Sequence, residues 1–280
     1  MKNTSNWLKK LLPFLSIAIT VNAGAQKLPG IQQNSLRAPD NVKIDGKATE
    51  WNNQFQAYNK VTDIYYTIAN DDDKLYLALQ ATDADIIRKI VIGGVTFTIN
   101  TAGEKKDKNG VAITFPAYDK KYHPVFLILN NRPSLTKDTA KNRMQADSFM
   151  NAYNTQISNT LKIIGVAGIK QIADDAISIY NEEGIKAASR FDNKMHYTYE
   201  LAIPLKYLEF ATDKPLKFTY DIKLNGVIGN GGRIIDTGRD DIISFVGADG
   251  VSYNLGSATP QNMNLAAPTD FWGEYTLAKK

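Results

Sequence analysis

The chain predicts an all-β protein: an antiparallel β-sandwich with one amphipathic helix inserted into it. Three observations carry that expectation. Short runs rich in β-branched and aromatic residues recur from Pro39 onward, and clusters of Gly, Asn, Asp or Lys divide them. Only one segment breaks the pattern with helical spacing. Short strands separated by turns point to a sandwich or barrel rather than to βαβ units.

Taken in order, Val42 and Ile44 alternate with polar neighbours, as a half-buried strand should. Asp45-Gly46 then makes a tight turn, because Gly tolerates positive φ and Asp can bond its own backbone. Val61–Ala69 and Lys74–Thr82 read as strands joined at Asp71-Asp72-Asp73. Ile90–Asn100, Val111–Phe115 and Val125–Asn130 continue the series. Between Thr136 and Tyr153, the residues Ala146, Phe149, Met150 and Tyr153 fall on one helical face. Asp138 in the first turn suits the helix dipole. That Met and aromatic stripe reads as core rather than as a cofactor box.

Strand signals resume with Leu161, Ile163, Gly165, Ala167 and Ile169. Gly184–Phe191 turns at Asp192-Asn193-Lys194 and pairs with Met195–Ile203. Tyr197, Tyr199, Leu201 and Ile203 share one face of that strand; His196, Thr198, Glu200 and Ala202 share the other. Pro204 stops it, since proline cannot donate to a ladder, and Leu205–Leu208 reads as a helical turn. Lys217–Asn225, Asp241–Val246, Val251–Leu255 and Trp272–Leu277 supply the remaining strands.

The first 25 residues read as a cleavable signal peptide. Lys2, Lys9 and Lys10 form a positive front, Leu11–Val21 is apolar, and Ala23-Gly24-Ala25 precedes Gln26. The apolar run is too short for a span of about 20 residues. The protein is therefore expected to be exported, to the periplasm or the cell exterior, as a soluble monomer. Residues 26–38 read as a flexible lead-in and 39–280 as one domain. Cysteine is absent, so stability must come from the core. Losing the three leader lysines takes 33 basic residues to 30, against 29 acids. No concentrated positive field remains to attract nucleic acid or an anionic membrane.

Catalytic constellations are scarce. The chain holds two histidines, His123 and His196, and no serine sits in a Gly-x-Ser-x-Gly elbow. Asp240 and Asp241 are consecutive strand residues whose side chains point apart, unlike a glycosidase pair. The glycines from Gly226 to Gly238 lack the Lys-Ser/Thr of a phosphate loop. No enzyme and no organic cofactor are expected. The acidic residues Asp71, Asp73, Asp83 and Asp85 form a candidate structural calcium site, since calcium takes six to eight oxygens. Tyr118, Tyr122, His123, Asn130, Asn131 and Arg132 bring rings near amides and a guanidinium, a candidate ligand site.

A longer frame runs through the chain: Ile44-Asp45-Gly46 followed by Glu50-Trp51, then Asp72-Asp73 before Leu75-Tyr76 with Asp83 beyond, and finally Trp272-Gly273 with Leu277. Over about Pro39–Lys280 it resembles carbohydrate-binding modules of the family 9 type and the wider DOMON-like group of β-sandwiches. Tyr199–Leu205 also resembles a segment common in those modules. The resemblance implies jelly-roll or immunoglobulin-like layers, a non-catalytic binding domain, carbohydrate as ligand and, in many relatives, structural calcium. Such modules hold a sugar between two tryptophans. Here Trp51 and Trp272 fall in framework motifs and are expected in the core, where an indole contributes about 150–250 Å². A sugar platform would then be built from tyrosines.

DOMON-like domains that bind haem use a methionine and a histidine, which here would pair Met195 with His123, or His196 with Met144 or Met150. Adjacent Met195 and His196 point to opposite sides of a strand and cannot act as a pair. The main alternative to carbohydrate capture, ahead of haem binding, is a structural or protein-interaction subunit of an envelope assembly.

Overall fold

Two antiparallel sheets face each other across an aliphatic and aromatic core. The computed structural model describes residues 27–105, 110–118, 139–210, 216–229, 233–235, 242–246, 252–257 and 259–280. In chain order come β1 (Ala57–Asn59), β2 (Ile64–Asn70), β3 (Lys74–Ala81), α1 (Ala84–Gly93), β4 (Val95–Asn100) and β5 (Val111–Ala117). The long helix α2 (Thr139–Thr160) precedes β6 (Ile163–Ala167), β7 (Ala176–Ser178), β8 (Lys186–Phe191) and β9 (Tyr197–Pro204). After a 3-10 turn at Leu205–Tyr207 follow β10 (Lys217–Leu224), α3 (Gly226–Gly229), β11 (Arg233–Ile235), β12 (Ile242–Val246) and β13 (Ser252–Ser257). The last elements are α4 (Pro260–Ala266) and β14 (Thr269–Thr276).

The first sheet has the order β1-β2-β3-β9-β8 and the second β14-β10-β4-β5-β6-β7, while β11-β12-β13 form a small meander. The all-β sandwich expected from the sequence is thus the observed architecture. Its core follows from strand alternation. Leu75, Leu77 and Leu79 of β3 and Tyr197, Tyr199, Leu201 and Ile203 of β9 point inward from the first sheet. Phe97 and Ile99 of β4 and Phe218, Tyr220 and Ile222 of β10 meet them from the second. Among the described residues, no helix is long and apolar enough to cross a membrane.

Three expectations are corrected. Ile90–Asn100 is not one strand: Ile90 belongs to α1, and β4 begins at Val95. Asp83 Oδ1 accepts from Asp85 N and Ile86 N at 2.8 and 3.2 Å, capping the helix. Gly94 closes it at φ 75°. Ile86, Ile87, Ile90 and Val91 are buried, and that burial outweighs their modest helix propensity. Second, α2 runs a full two turns past the expected stripe, burying Tyr153 and Ile157. Phe149 and Met150 pack on the core as expected; Asp138 and Val125–Asn130 lie outside the described residues.

Third, the lead-in is seated rather than free. Gln32 is 4% exposed, its amide donates to Asn34 O and Ile68 O, and its Oε1 accepts from Ile68 N. The chain then crosses the outer face of the first sheet as a strap. Leu36, Ala38, Val42, Ile44, Ala48, Trp51 and Phe55 lie on a floor made by Ala69, Tyr76, Ala78 and Ala202. Val42 and Ile44 keep their alternation but join no ladder, because the sheet beneath offers side chains rather than an edge.

Candidate functional site

The geometry of the frame centres on Glu200. This side chain leaves β9 on the outer face and is 1% exposed beneath the strap. Its Oε2 accepts from Asp45 N at 3.0 Å and Gly46 N at 2.9 Å; its Oε1 accepts from Trp51 Nε1 at 3.1 Å. Gly46 sits at φ 79°, and a Cβ there would lie 2.6 Å from the Ser189 carbonyl carbon, so only glycine fits. Trp51 is 6% exposed and meets Tyr76 edge-on at 6.2 Å. Burial pushes the Glu200 carboxyl up to about 7, with the hydrogen bonds from Trp51, Asp45 and Gly46 opposing and the Asp45 charge adding to the rise. The Ile-Asp-Gly and Glu-Trp motifs are therefore a fastening between strap and sheet.

Trp272 behaves differently, and the expectation of a core role is corrected. On β14 the inward positions are Phe271, Gly273 and Tyr275; Asp270, Trp272, Glu274 and Thr276 point outward. Trp272 is half-buried on that outer face, at the edge of the second sheet. Gly273 explains the register. A Cβ there would stand 2.3 Å from the Tyr220 ring, which fills the inward space, with its hydroxyl 2.9 Å from that of Tyr66. Gly273→Ala is expected to destabilise the protein by about 1–3 kcal/mol through overpacking, read as a lower urea midpoint with an unchanged slope.

The outer face around Trp272 is polar. Strand register sets Lys217, Thr219, Asp221 and Lys223 of β10 opposite Thr276, Glu274, Trp272 and Asp270. Lys217 Nζ lies 2.6 Å from Glu274 Oε2, and Lys223 Nζ 3.8 Å from the fully buried Asp221. The Lys217 bond holds the Glu274 carboxyl below its usual range. Where the lead-in passes β14, a cleft of about 210 Å³ opens between Gln32, Gln33, Asn34, Ser35, Lys217, Glu274, Tyr275 and Thr276. Ser35 Oγ donates to Thr276 O at 2.6 Å, and Leu36 N to the Tyr275 hydroxyl at 3.1 Å, which hold its two walls together.

The sequence-predicted site residues are dispersed. Tyr118 is described: its hydroxyl donates to Val91 O and its burial holds the phenol well above the usual range. It is a packing residue at the end of β5, not a platform. Tyr122, His123, Asn130, Asn131 and Arg132 lie outside the described residues.

The four acids proposed for calcium are not brought together. Asp71 and Asp73 precede β3 while Asp83 and Asp85 follow it, so an eight-residue strand of roughly 25 Å separates the pairs. Asp71 instead accepts from Asp73 N, Lys74 N and the Tyr76 hydroxyl. Asp83 caps α1 and Asp85 reaches Arg88 at 3.5 Å. Among the described residues, no group of three or more acidic, His or Cys side chains is placed to hold a metal ion.

Met195 is in a turn at φ 61°, ahead of β9 rather than within it, because Asp192 Oδ1 gathers Lys194 N and His196 N. His196 Nδ1 stands 3.4 Å from Asp192 Oδ2; Met144 is 73% exposed and Met150 rests on the core. A buried cation lies elsewhere. Lys89 of α1 donates to Thr269 Oγ1 at 3.0 Å and Asn264 Oδ1 at 3.4 Å, and burial pushes its ammonium down to about 8.

No family model matches the chain, and no curated protein matches it significantly.

Proposed function

We propose that this chain is an exported, non-catalytic binding module that captures carbohydrate on the outer face of its second sheet. The observation that carries the reading is Trp272: a half-buried indole on an edge strand, without a ring partner or hydrogen bond among the described residues, beside a cleft lined by amides, hydroxyls and an ion pair. Sugars present apolar C–H faces ringed by hydroxyls. They are held by a flat aromatic surface flanked by hydrogen-bonding side chains, the combination found here. Binding requires no bond to be made or broken. The family 9 resemblance supports the same ligand class, although the platform is Trp272 rather than the tyrosines that the sequence suggested.

Affinity electrophoresis of the mature chain through gels carrying neutral plant and bacterial polysaccharides tests the proposal. Wild type should be retarded by at least one of them. Trp272→Ala should weaken binding roughly thirty-fold, the loss of about 2 kcal/mol expected of an aromatic anchor, with its melting temperature changed by only a few degrees. Migration of wild type unaffected by every polysaccharide would refute the proposed ligand.

A further inference from the structure

We infer that the cleft and Trp272 are adjacent subsites for a single neutral oligosaccharide of at least two rings, lying along β14. This rests on the carbohydrate-binding reading above. Trp272, Glu274 and Thr276 share one face of the strand, so successive members stand roughly 6.6–6.8 Å apart. Glu274 and Thr276 line the cleft and Trp272 lies one step beyond it. At about 210 Å³ the cleft is smaller than the roughly 300–1,000 Å³ of pockets that enclose a whole drug-sized ligand. It has room for one small unit, and a ligand that also covers the indole must extend out of it.

The charges argue that this ligand is neutral. Lys217 is paired with Glu274 and Lys223 with Asp221, and Lys105 adds its field at Glu274. The two signs are interspersed, so the face presents no single-sign field to select a uronate or a sulfated chain. Hydroxyl recognition is well supplied. Among the described residues no hydrogen bond engages the Asn34 side-chain amide or the Thr276 hydroxyl, and both border the cleft. Asp270 and Glu274 flank the indole with acceptors on the same face.

The test is calorimetric titration of the mature chain with neutral β-1,4-linked glucose, mannose and xylose oligomers, from the monosaccharide upward, and with galacturonate oligomers of matching length. Affinity should rise by about ten-fold or more between one ring and the shortest oligomers, and the acidic series should bind more weakly than the neutral one. Trp272→Ala should abolish the gain with length. The exposed pair Asn34→Ala/Thr276→Val should weaken binding of the longer oligomers about ten-fold while leaving thermal melting unchanged. A monosaccharide as tight as its oligomers, preference for the acidic series, or unaltered binding by the double variant would each overturn the inference while leaving carbohydrate capture standing. Retention on no glycan at all would remove both.

Discussion

Glu200→Ala should cost the fold about 3 kcal/mol, near the low end for three buried donors left without an acceptor. The donors are the backbone N–H groups of Asp45 and Gly46 and the Trp51 indole, and all three belong to the strap. Loosening should therefore begin there. Urea denaturation should show a lowered midpoint, and limited proteolysis should cut between Leu36 and Phe55 before any site in the sandwich. Glu200→Gln keeps the volume but must turn an –NH₂ toward either the indole N–H or the two backbone N–H groups. An intermediate loss of about 1–2 kcal/mol is expected. Full stability of Glu200→Ala would show that the carboxylate does not fasten the strap.

The second large effect is on pH dependence. Burial pushes the Glu200 carboxyl up from its ordinary 4.5 to about 7 in the fold. Between those values the folded protein binds the proton that the unfolded chain has released. Stability from this group is therefore complete below about pH 4.5 and declines as pH rises through about 7, by roughly 3 kcal/mol in all. Glu200→Gln has no such proton to lose. Subtracting its stability profile from that of wild type between pH 4 and 9 should leave a single downward step centred below neutrality. A flat difference would mean that the three hydrogen bonds hold the carboxylate ionised despite its burial.

Much of the architecture was legible in the chain because strand alternation is a local signal. Tyr197, Tyr199, Leu201 and Ile203 mark the inward face of β9 unaided, and Pro204 marks its end. What escaped depended on partners distant in sequence. The β-branched run of α1 looks like a strand until Gly226 and α4 are known to bury it. The lead-in looks unstructured because its buried anchor, Gln32, is polar and finds its long-range partners on Tyr66 and Ile68.

Trp272 shows the same limit. Alternation along β14 contains both Phe271 and Trp272, and only the Tyr220 ring against Gly273 decides which of the two faces outward. The signal that could have revealed it was the glycine itself, which marks the inward position next to the indole. The calcium grouping failed for a related reason. Sequence proximity of Asp73 and Asp83 suggested a cluster, but an extended strand carries its ends as far apart as a chain of that length allows.

The bond from Ser35 to Thr276 joins residues 241 positions apart. Closing so long a loop is a late and slow event in a β protein, so the walls of the cleft cannot meet before the final strand has docked. The cleft is thus a late product of folding: it exists only in a molecule where β14 and the segment ahead of β1 already lie side by side.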